Sequence, residues 1–540
     1  MLLAVAASCK SGGESTSSPE CRAAGERMYE TGRLAGGQVM VARAPGGPAV
    51  PGTTFACVGC HNRSGLLGMD ESRSVLAING LSLFRPRFPN YPGLSEAERK
   101  ELLPERYAVK PVRPAYTDES LSRALREGVD PSGRTLGPSM PRYDLAPADL
   151  RCLVGYLHVL SVTPSPGVTD KTLNLATVIT DEVPAADREA MATTLEWAAS
   201  RHNNLGRTLG GSMSGMLNMG IMRLAYRDWS VARWTLTGAP ETWGAQLEAQ
   251  YARTPVFALV GGISTRPWGP MHAFCEAKRL PCILPITELP PVAASGVYSL
   301  YFHRGVVQEG EAVARFLGEL PEKQRPARVL EVVGPGLEGA TAAEGFRAEW
   351  RRRGNGAPES VPATDLAGLR GSVSASTAVV VWTGAESFEA VRALAPSKPA
   401  FVFMSSTLVG ERLWELPPEA RGYTYFSYPF RDPAANRVLP KMGGRPITIA
   451  REYRKNDRRI QARTTTAVQL LESRIGELER NFYRDYLIDL FHSMEESLTT
   501  DYPRLSFESG RTYGSDGCYM MQLTTGPTPD LVRKSELLSD

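Results

Sequence analysis

Apolar residues recur along this chain with two different patterns, and the change from one to the other divides it. Leu150, Leu153, Val154, Leu157 and Leu160 fall on one face of a helix, which predicts an amphipathic helix through that stretch. Cys21, Ala24, Gly25, Met28 and Tyr29 form a second helical stripe, with Gly25 placed for close approach by another helix and Tyr29 for packing near Tyr156. Beyond about residue 168 the pattern changes. Continuous apolar runs predict strands at Leu173–Ile179, Val256–Gly261, Cys282–Ile286, Arg328–Val333, Ala378–Thr383 and Ala400–Met404. Between them lie amphipathic stretches such as Arg188–Ser200, Glu309–Leu320 and Thr341–Arg353. Strands that are apolar throughout and separated by helices point to parallel sheets covered on both faces. In such folds ligands bind beyond the carboxyl ends of the strands.

The same pass sets the organisation. Residues 1–20 read as an export-signal remnant and tether, 21–162 as a first globular unit, 163–171 as a Pro-rich linker, 172–530 as a larger unit and 531–540 as a tail. All eight Trp fall in the larger unit, which supports the boundary. The stretch from Phe84 to Pro114 is rich in Pro and Arg and reads as loop with one short helix near Ser95–Leu102.

Composition narrows the function classes. At 540 residues the chain is too long for one ordinary domain, and 42% hydrophobic residues suffice for sizeable cores. Lys and Arg number 61 against 58 Asp and Glu, a net +3, so the excess of positive charge that marks a nucleic-acid binder is missing. No apolar run reaches the roughly 18 residues of a membrane helix. Residues 2–8, LLAVAAS, run into Cys9 and resemble the end of a bacterial lipoprotein signal, which implies lipidation of Cys9 and a periplasmic or cell-envelope protein attached through that anchor only. The polar run from Lys10 to Glu20 is the tether an anchored domain needs.

The sharpest chemistry is Cys57-Val58-Gly59-Cys60-His61, the C-x-x-C-H signature of c-type haem attachment. Two thiols three positions apart reach the two vinyl groups of a haem, and the next residue, His61, lies under the iron. A redox dithiol or half a zinc site would use the same C-x-x-C, but no second C-x-x-C exists to complete a zinc site. Downstream, Gly137-Pro138-Ser139-Met140-Pro141 is a stiff loop whose Met140 can face the iron as second axial ligand. Met ligation raises the potential relative to a bis-His site and leaves no open position for oxygen or substrate, which suits an electron carrier. His158 competes for that role but sits on the last helix of the unit.

With these features in place, residues 21–162 resemble a class I cytochrome c domain, an all-α fold with an N-terminal helix, C-x-x-C-H, a Met loop and a crossing C-terminal helix. The stretch from Tyr116 to Ser161 is especially similar to bacterial monohaem c domains. The resemblance implies one covalent haem c on Cys57 and Cys60, with His61 and Met140 as axial ligands. Met140 follows His61 by 79 positions, longer than in compact members, and the Pro/Arg-rich insertion supplies the excess.

The larger unit resembles a type I periplasmic solute-binding protein of the class that includes branched-chain amino acid and amide receptors of ABC transporters. The resemblance rests on residues 255–265 (PVFALVGGIST), 280–291 (LPCILPITELPP), 298–320, 328–350 and 505–523. It implies two α/β lobes with doubly wound parallel sheets and a cleft for a small solute, with contacts from Ser264, Thr265, Thr287, Glu288 and Arg304. The region 201–254 departs from the family, being Met- and Trp-rich and lacking a clean second strand.

Cys275 and Cys282 flank a helix end and the next strand, which suggests a local disulfide in an oxidising compartment. A bridge between Cys21 and Cys152 is also conceivable, because their helices should cross, and Cys518 is left over as a buried strand residue. Gly334-Pro335-Gly336-Leu337-Glu338-Gly339 matches a dinucleotide fingerprint between a strand and a helix. Pro335 removes an N–H from that turn, so a cytochrome-linked dehydrogenase ranks below the other readings. Arg351-Arg352-Arg353-Gly354 reads as a helix C-terminus, and Arg451 to Arg463 as a solvated basic face. The expected function is an exported monohaem cytochrome that is not an enzyme, with a second module that takes a small solute or docks a redox partner protein. The alternative is a solute receptor with a redox-sensing haem.

Overall fold

The structure is a computed structural model and describes residues 18–66, 69–70, 73–74, 76–88, 111–212, 226–434, 456–497, 499 and 501–539. Cys9, the expected helix near Ser95–Leu102 and the start of the basic stretch at Arg451 lie outside the described residues. The chain divides into two compact units. The first includes the chain up to Ser165 together with Leu478–Asp489, and the second comprises Pro166–Ser212, Tyr226–Glu477 and Leu490–Asp540. The first division falls between Ser165 and Pro166, and a segment from deep in the larger region returns to the first unit.

The first unit opens with helix α1 (Pro19–Thr31), whose N-terminus is capped by the Ser18 hydroxyl accepting the Cys21 N–H at 3.2 Å. Strands β1 (Val41–Arg43) and β2 (Ala49–Pro51) follow, then the single turn α2 (Val58–His61). After a two-residue hairpin of β3 (Met69–Asp70) and β4 (Arg73–Ser74) come helix α3 (Asp118–Glu127), strand β5 (Arg142–Asp144) and helix α4 (Pro147–Val159). β2, β1 and β5 form an antiparallel sheet. The expected all-α class is thus corrected: the Met140 loop runs straight into a sheet strand.

α1 and α4 cross in contact. A Cβ on Gly25 would lie 2.2 Å from the Cys152 carbonyl oxygen, so only glycine permits the approach. Tyr29 packs on Tyr156 with ring centroids 5.4 Å apart, and a disulfide joins Cys21 to Cys152. The apolar faces of both helices close one core with Met40, Leu121, Leu125, Tyr143 and Leu145.

The second unit holds two parallel-sheet lobes. Lobe one contains β6 (Thr172–Thr180), helix α5 (Ala185–Ser212), β7 (Asp228–Leu236), β8 (Ala258–Val260), helix α6 (Gly269–Ala277), β9 (Cys282–Ile283) and β10 (Ser299–Leu300). Its strands run in the order β10-β9-β8-β6-β7, all parallel. Lobe two begins with helix α7 (Val306–Glu319), β11 (Arg328–Val333), helix α8 (Leu337–Arg352), β12 (Glu359–Pro362), β13 (Thr377–Trp382), β14 (Phe401–Ser405) and β15 (Thr424–Tyr428). After helix α9 (Asn456–Glu477), which belongs to lobe one and packs on α5, the chain adds β16 (Tyr519–Leu523) and β17 (Leu531–Arg533) antiparallel to the edge of the second sheet. The order is β12-β11-β13-β14-β15-β16-β17.

A second strand does exist in the region that had seemed to lack one. β7 pairs with β6 over nine residues. It was illegible as an apolar run because it is an edge strand, where polar Ser230, Arg233 and Thr235 alternate with Trp229, Trp234 and Leu236.

The expected Cys275–Cys282 disulfide is also corrected. Both are separate, fully buried thiols in the lobe-one core with Trp234, Trp243, Trp268 and Phe274, so apolar packing rather than a covalent bond holds this turn. Cys518 is buried as expected. The last glycine of the fingerprint-like loop serves packing: a Cβ on Gly339 would come within 2.5 Å of the Trp382 carbonyl, so this glycine seats α8 on the sheet.

Candidate functional site

The C-x-x-C-H motif folds as one helical turn, with the Cys60 and His61 N–H groups both donating to the Cys57 carbonyl at 3.2 and 2.9 Å. This turn puts the two thiols and the imidazole on adjacent positions of a single rigid element. Cys57 is buried in the unit's core, and burial pushes its thiol up to about 11. Cys57 and Cys60 are both thiols, not a disulfide.

His61 is 8% exposed, and burial pushes it down to about 4 against a backbone hydrogen bond at Leu76, so the ring is neutral at pH 7. Its Nδ1 is buried with no hydrogen-bond partner. Met140 packs on the same apolar cluster as Cys57. Its loop is pinned by Arg142, whose guanidinium donates to the carbonyls of Met140 and, at 3.1 Å, Leu136. A neutral buried imidazole with an orphaned nitrogen, two thiols on its own turn and a half-buried thioether in the same core fit a covalently held haem. His158 points elsewhere: it is exposed, bonded to Asp118 at 2.6 Å and stacked on Phe84.

The five expected solute-contact residues all sit just beyond the carboxyl ends of lobe-one strands, where the topology of a parallel sheet directs them. Ser264 and Thr265 converge on Glu182, in the loop after β6. Its Oε1 accepts the hydroxyls of Thr180 at 2.6 Å, Ser264 at 3.0 Å and Thr265 at 3.4 Å, and the Thr265 N–H at 3.3 Å. Glu182 Oε2 is buried with no partner. Thr287 accepts the Leu289 N–H within its own turn, and Arg304 pairs with Glu311.

Glu288 lies in a second cluster that sequence reasoning missed. Its Oε1 takes Arg463 Nη1 at 2.9 Å, and its Oε2 is 3.6 Å from His303 Nε2. The Arg463 guanidinium lies over the rings of Phe430 at 4.8 Å and Tyr502 at 5.9 Å. Burial alone would raise Glu288, but the charge and hydrogen bond of Arg463 hold it below the usual carboxylate range. Burial pushes His303 down to about 4, and its Nδ1 accepts the Gly305 N–H at 2.9 Å, so the ring is neutral. The Tyr502 hydroxyl is buried without a partner.

Arg463 is 6% exposed, which corrects the reading of this residue, the last of the basic stretch, as part of a solvated face. No motif could have flagged it, because Arg463 and Glu288 are 175 positions apart. The nearest signal was the position of Glu288 after an apolar run. Two cavities, of about 520 and 400 Å³, lie instead around Trp350 in lobe two, and none of the five expected contact residues lines them.

By sequence the chain matches no family model and no curated protein. Its fold is similar to solved solute-binding proteins. A branched-chain amino acid ABC transporter protein from Thermus thermophilus with bound valine is 12% identical, with a TM-score of 0.49 over 69% of this chain and 98% of that one. A periplasmic binding protein type 1 from Bordetella pertussis Tohama I is 16% identical, with a TM-score of 0.47 over 67% of this chain and all of that one (100%). An R. palustris ABC transporter solute-binding protein in complex with benzoate is 12% identical, with a TM-score of 0.46 over 68% of this chain and 98% of that one. The two-lobed architecture itself stands on the strand order given above. Among the described residues no helix is long and apolar enough to cross a membrane.

Proposed function

We propose that this protein is a solute receptor of the cell envelope, of the type I periplasmic binding class, whose first unit carries one covalent haem c. The observation behind the receptor reading is the convergence of polar side chains at the carboxyl ends of the lobe-one strands. There Glu182 Oε2 is buried without a hydrogen-bond partner, as is the Tyr502 hydroxyl in the cluster around Glu288. Buried polar atoms without partners are costly, and a solute that supplies hydrogen bonds at the strand ends removes that cost.

The test is thermal unfolding of the full chain against amino acids, amides, small organic acids and sugars. A solute at about 100 times its Kd adds roughly 2.7 kcal/mol, and the midpoint rises visibly. No shift with any of them sinks the receptor reading and leaves the lobes as a docking scaffold for a redox partner protein. The full chain is needed, because Leu478–Asp489 belongs to the first unit and cannot be cut away with the lobes.

Electron carriage is supported by a separate observation, the fit of Cys57, Cys60, His61 and Met140 to a haem. Cys57 and Cys60 would hold it through thioethers, and His61 and Met140 would be the side chains that bind its iron. Bound there, a haem supplies single-electron redox chemistry with its potential set by those ligands and by burial. The residues of the chain orient it: the α2 turn fixes both thiols and the imidazole, and Arg142 holds the Met140 loop. Met140→Ala should alter the oxidised spectrum and lower the potential; an unchanged spectrum removes Met140 as a ligand. An anchor at Cys9 would keep both modules at the membrane surface, and incorporation of labelled fatty acid that Cys9→Ser abolishes would establish it.

A further inference from the structure

The backbone that leaves His61 is gripped from three parts of the chain. On α1, the Tyr29 hydroxyl donates to the Asn62 carbonyl at 2.7 Å. After α4, the Ser161 hydroxyl donates to the Ser64 carbonyl at 2.8 Å. The third grip comes from the segment that returns to this unit. Asp489, on the helix Arg484–His492, accepts the Arg63 N–H on Oδ1 at 3.1 Å and the Ser64 N–H on Oδ2 at 2.8 Å. Asn62 has a φ of 53° with a ψ of −178°, a strained conformation for a residue with a side chain, and the Arg63 and Ser64 N–H groups that follow it point to one acceptor. Asp489 is 4% exposed and Ser64 is fully buried, so this is a bidentate clamp shielded from water.

We infer that Asp489 is a positioning residue for the haem-binding turn: it fixes the backbone two and three residues after His61 and holds a buried carboxylate against that backbone. The inference rests on the reading of C-x-x-C-H as a haem site. It also explains why Leu478–Asp489 belongs to the first unit: the haem module is completed by a residue 425 positions beyond the loop it holds.

A carboxylate buried near a haem stabilises the oxidised, more positive form and so lowers the potential. Burial raises Asp489 to about 7 against the hydrogen bonds from Ser64 and Arg63. The other charged or titratable groups that face it are Asp485 on its own helix, Tyr29 on α1, and Arg63, which is paired with Glu30 of α1 at 2.7 Å.

The experiment uses the full chain, produced with haem attachment and compared with Asp489→Asn. Covalent haem content, the oxidised spectrum and the midpoint potential would be measured at about pH 5 and about pH 9, either side of the buried carboxyl's titration. Asp489→Asn is expected to retain haem, to match wild type at the lower pH and to show a higher potential at the upper pH. Potentials that coincide at both overturn the inference.

If Asp489→Asn does not accumulate, wild type decides. A potential that falls between the two pH values, with the fall retained in Asp485→Asn, supports the inference, and a flat one overturns it. Wild type that carries no covalent haem fails the haem reading itself, a result visible before any potential is measured.

Discussion

Arg463 and Glu288 form an ion pair of 2.9 Å between the N-terminal half of α9 and the loop after β9, with the rings of Phe430 and Tyr502 against the guanidinium. Charges buried this far are stable only as a pair, because removing one strands the other in a poorly solvated place. Arg463→Ala should therefore cost about 3–5 kcal/mol. The double variant Glu288→Gln with Arg463→Met should lose clearly less. Urea unfolding of the three proteins measures this; equal losses in the single and double variants would show that the pairing is not what matters.

Glu309 on α7 is fully buried, accepts the Ser427 hydroxyl at 2.8 Å and is raised by burial to about 7 from 4.5. Below about pH 4.5 the carboxyl is protonated in both the folded and unfolded chain and contributes nothing. Between about 4.5 and 7 the unfolded chain releases this proton while the folded chain keeps it, so stability falls as pH rises, and above 7 the loss is constant. Glu309→Gln should remove the loss, with a gain over wild type that grows across that window to at most about 3 kcal/mol. Denaturant midpoints of both proteins from pH 4 to 9 test it; a gain independent of pH would exclude ionisation as the cause.

Gly25 faces the Cys152 carbonyl so closely that a methyl group has no room. Gly25→Ala should force α1 and α4 apart at a cost of about 3 kcal/mol. The effect should appear as a lower melting midpoint for the first unit with little change in the second, as reported by the Trp residues, all of which lie outside the first unit.

The Cys21–Cys152 disulfide closes a loop across 131 positions at the same crossing. Replacing both by Ser should cost about 2–4 kcal/mol, with a matching loss in wild type under reducing conditions. Reductant should leave the double variant unchanged. A response in the variant would point to some other oxidised pair.

Much of this molecule was legible as sequence. The i, i+3, i+4 stripes over α1 and α4 and the apolar runs of β6, β11, β13 and β14 report periodicities that the backbone sets within a few residues. The C-x-x-C-H motif is equally local, since Cys57, Cys60 and His61 share one turn. β7 was hidden because an edge strand needs only one apolar face. Pairing of the cysteines went the other way from its sequence distance: Cys275 and Cys282, seven positions apart, stay separate in a core, while Cys21 and Cys152 meet.

What only the tertiary structure decided is which distant groups are brought together: Arg463 on Glu288, the hydroxyls of Ser264 and Thr265 on Glu182, and Asp489 on the backbone after His61. No local pattern encodes these contacts. A side chain that finds its partner 175 or 425 positions away does so because sheets and helix crossings close the chain on itself, and the cost of burying its charge or hydrogen-bonding group selects the partner only once that closure has excluded water.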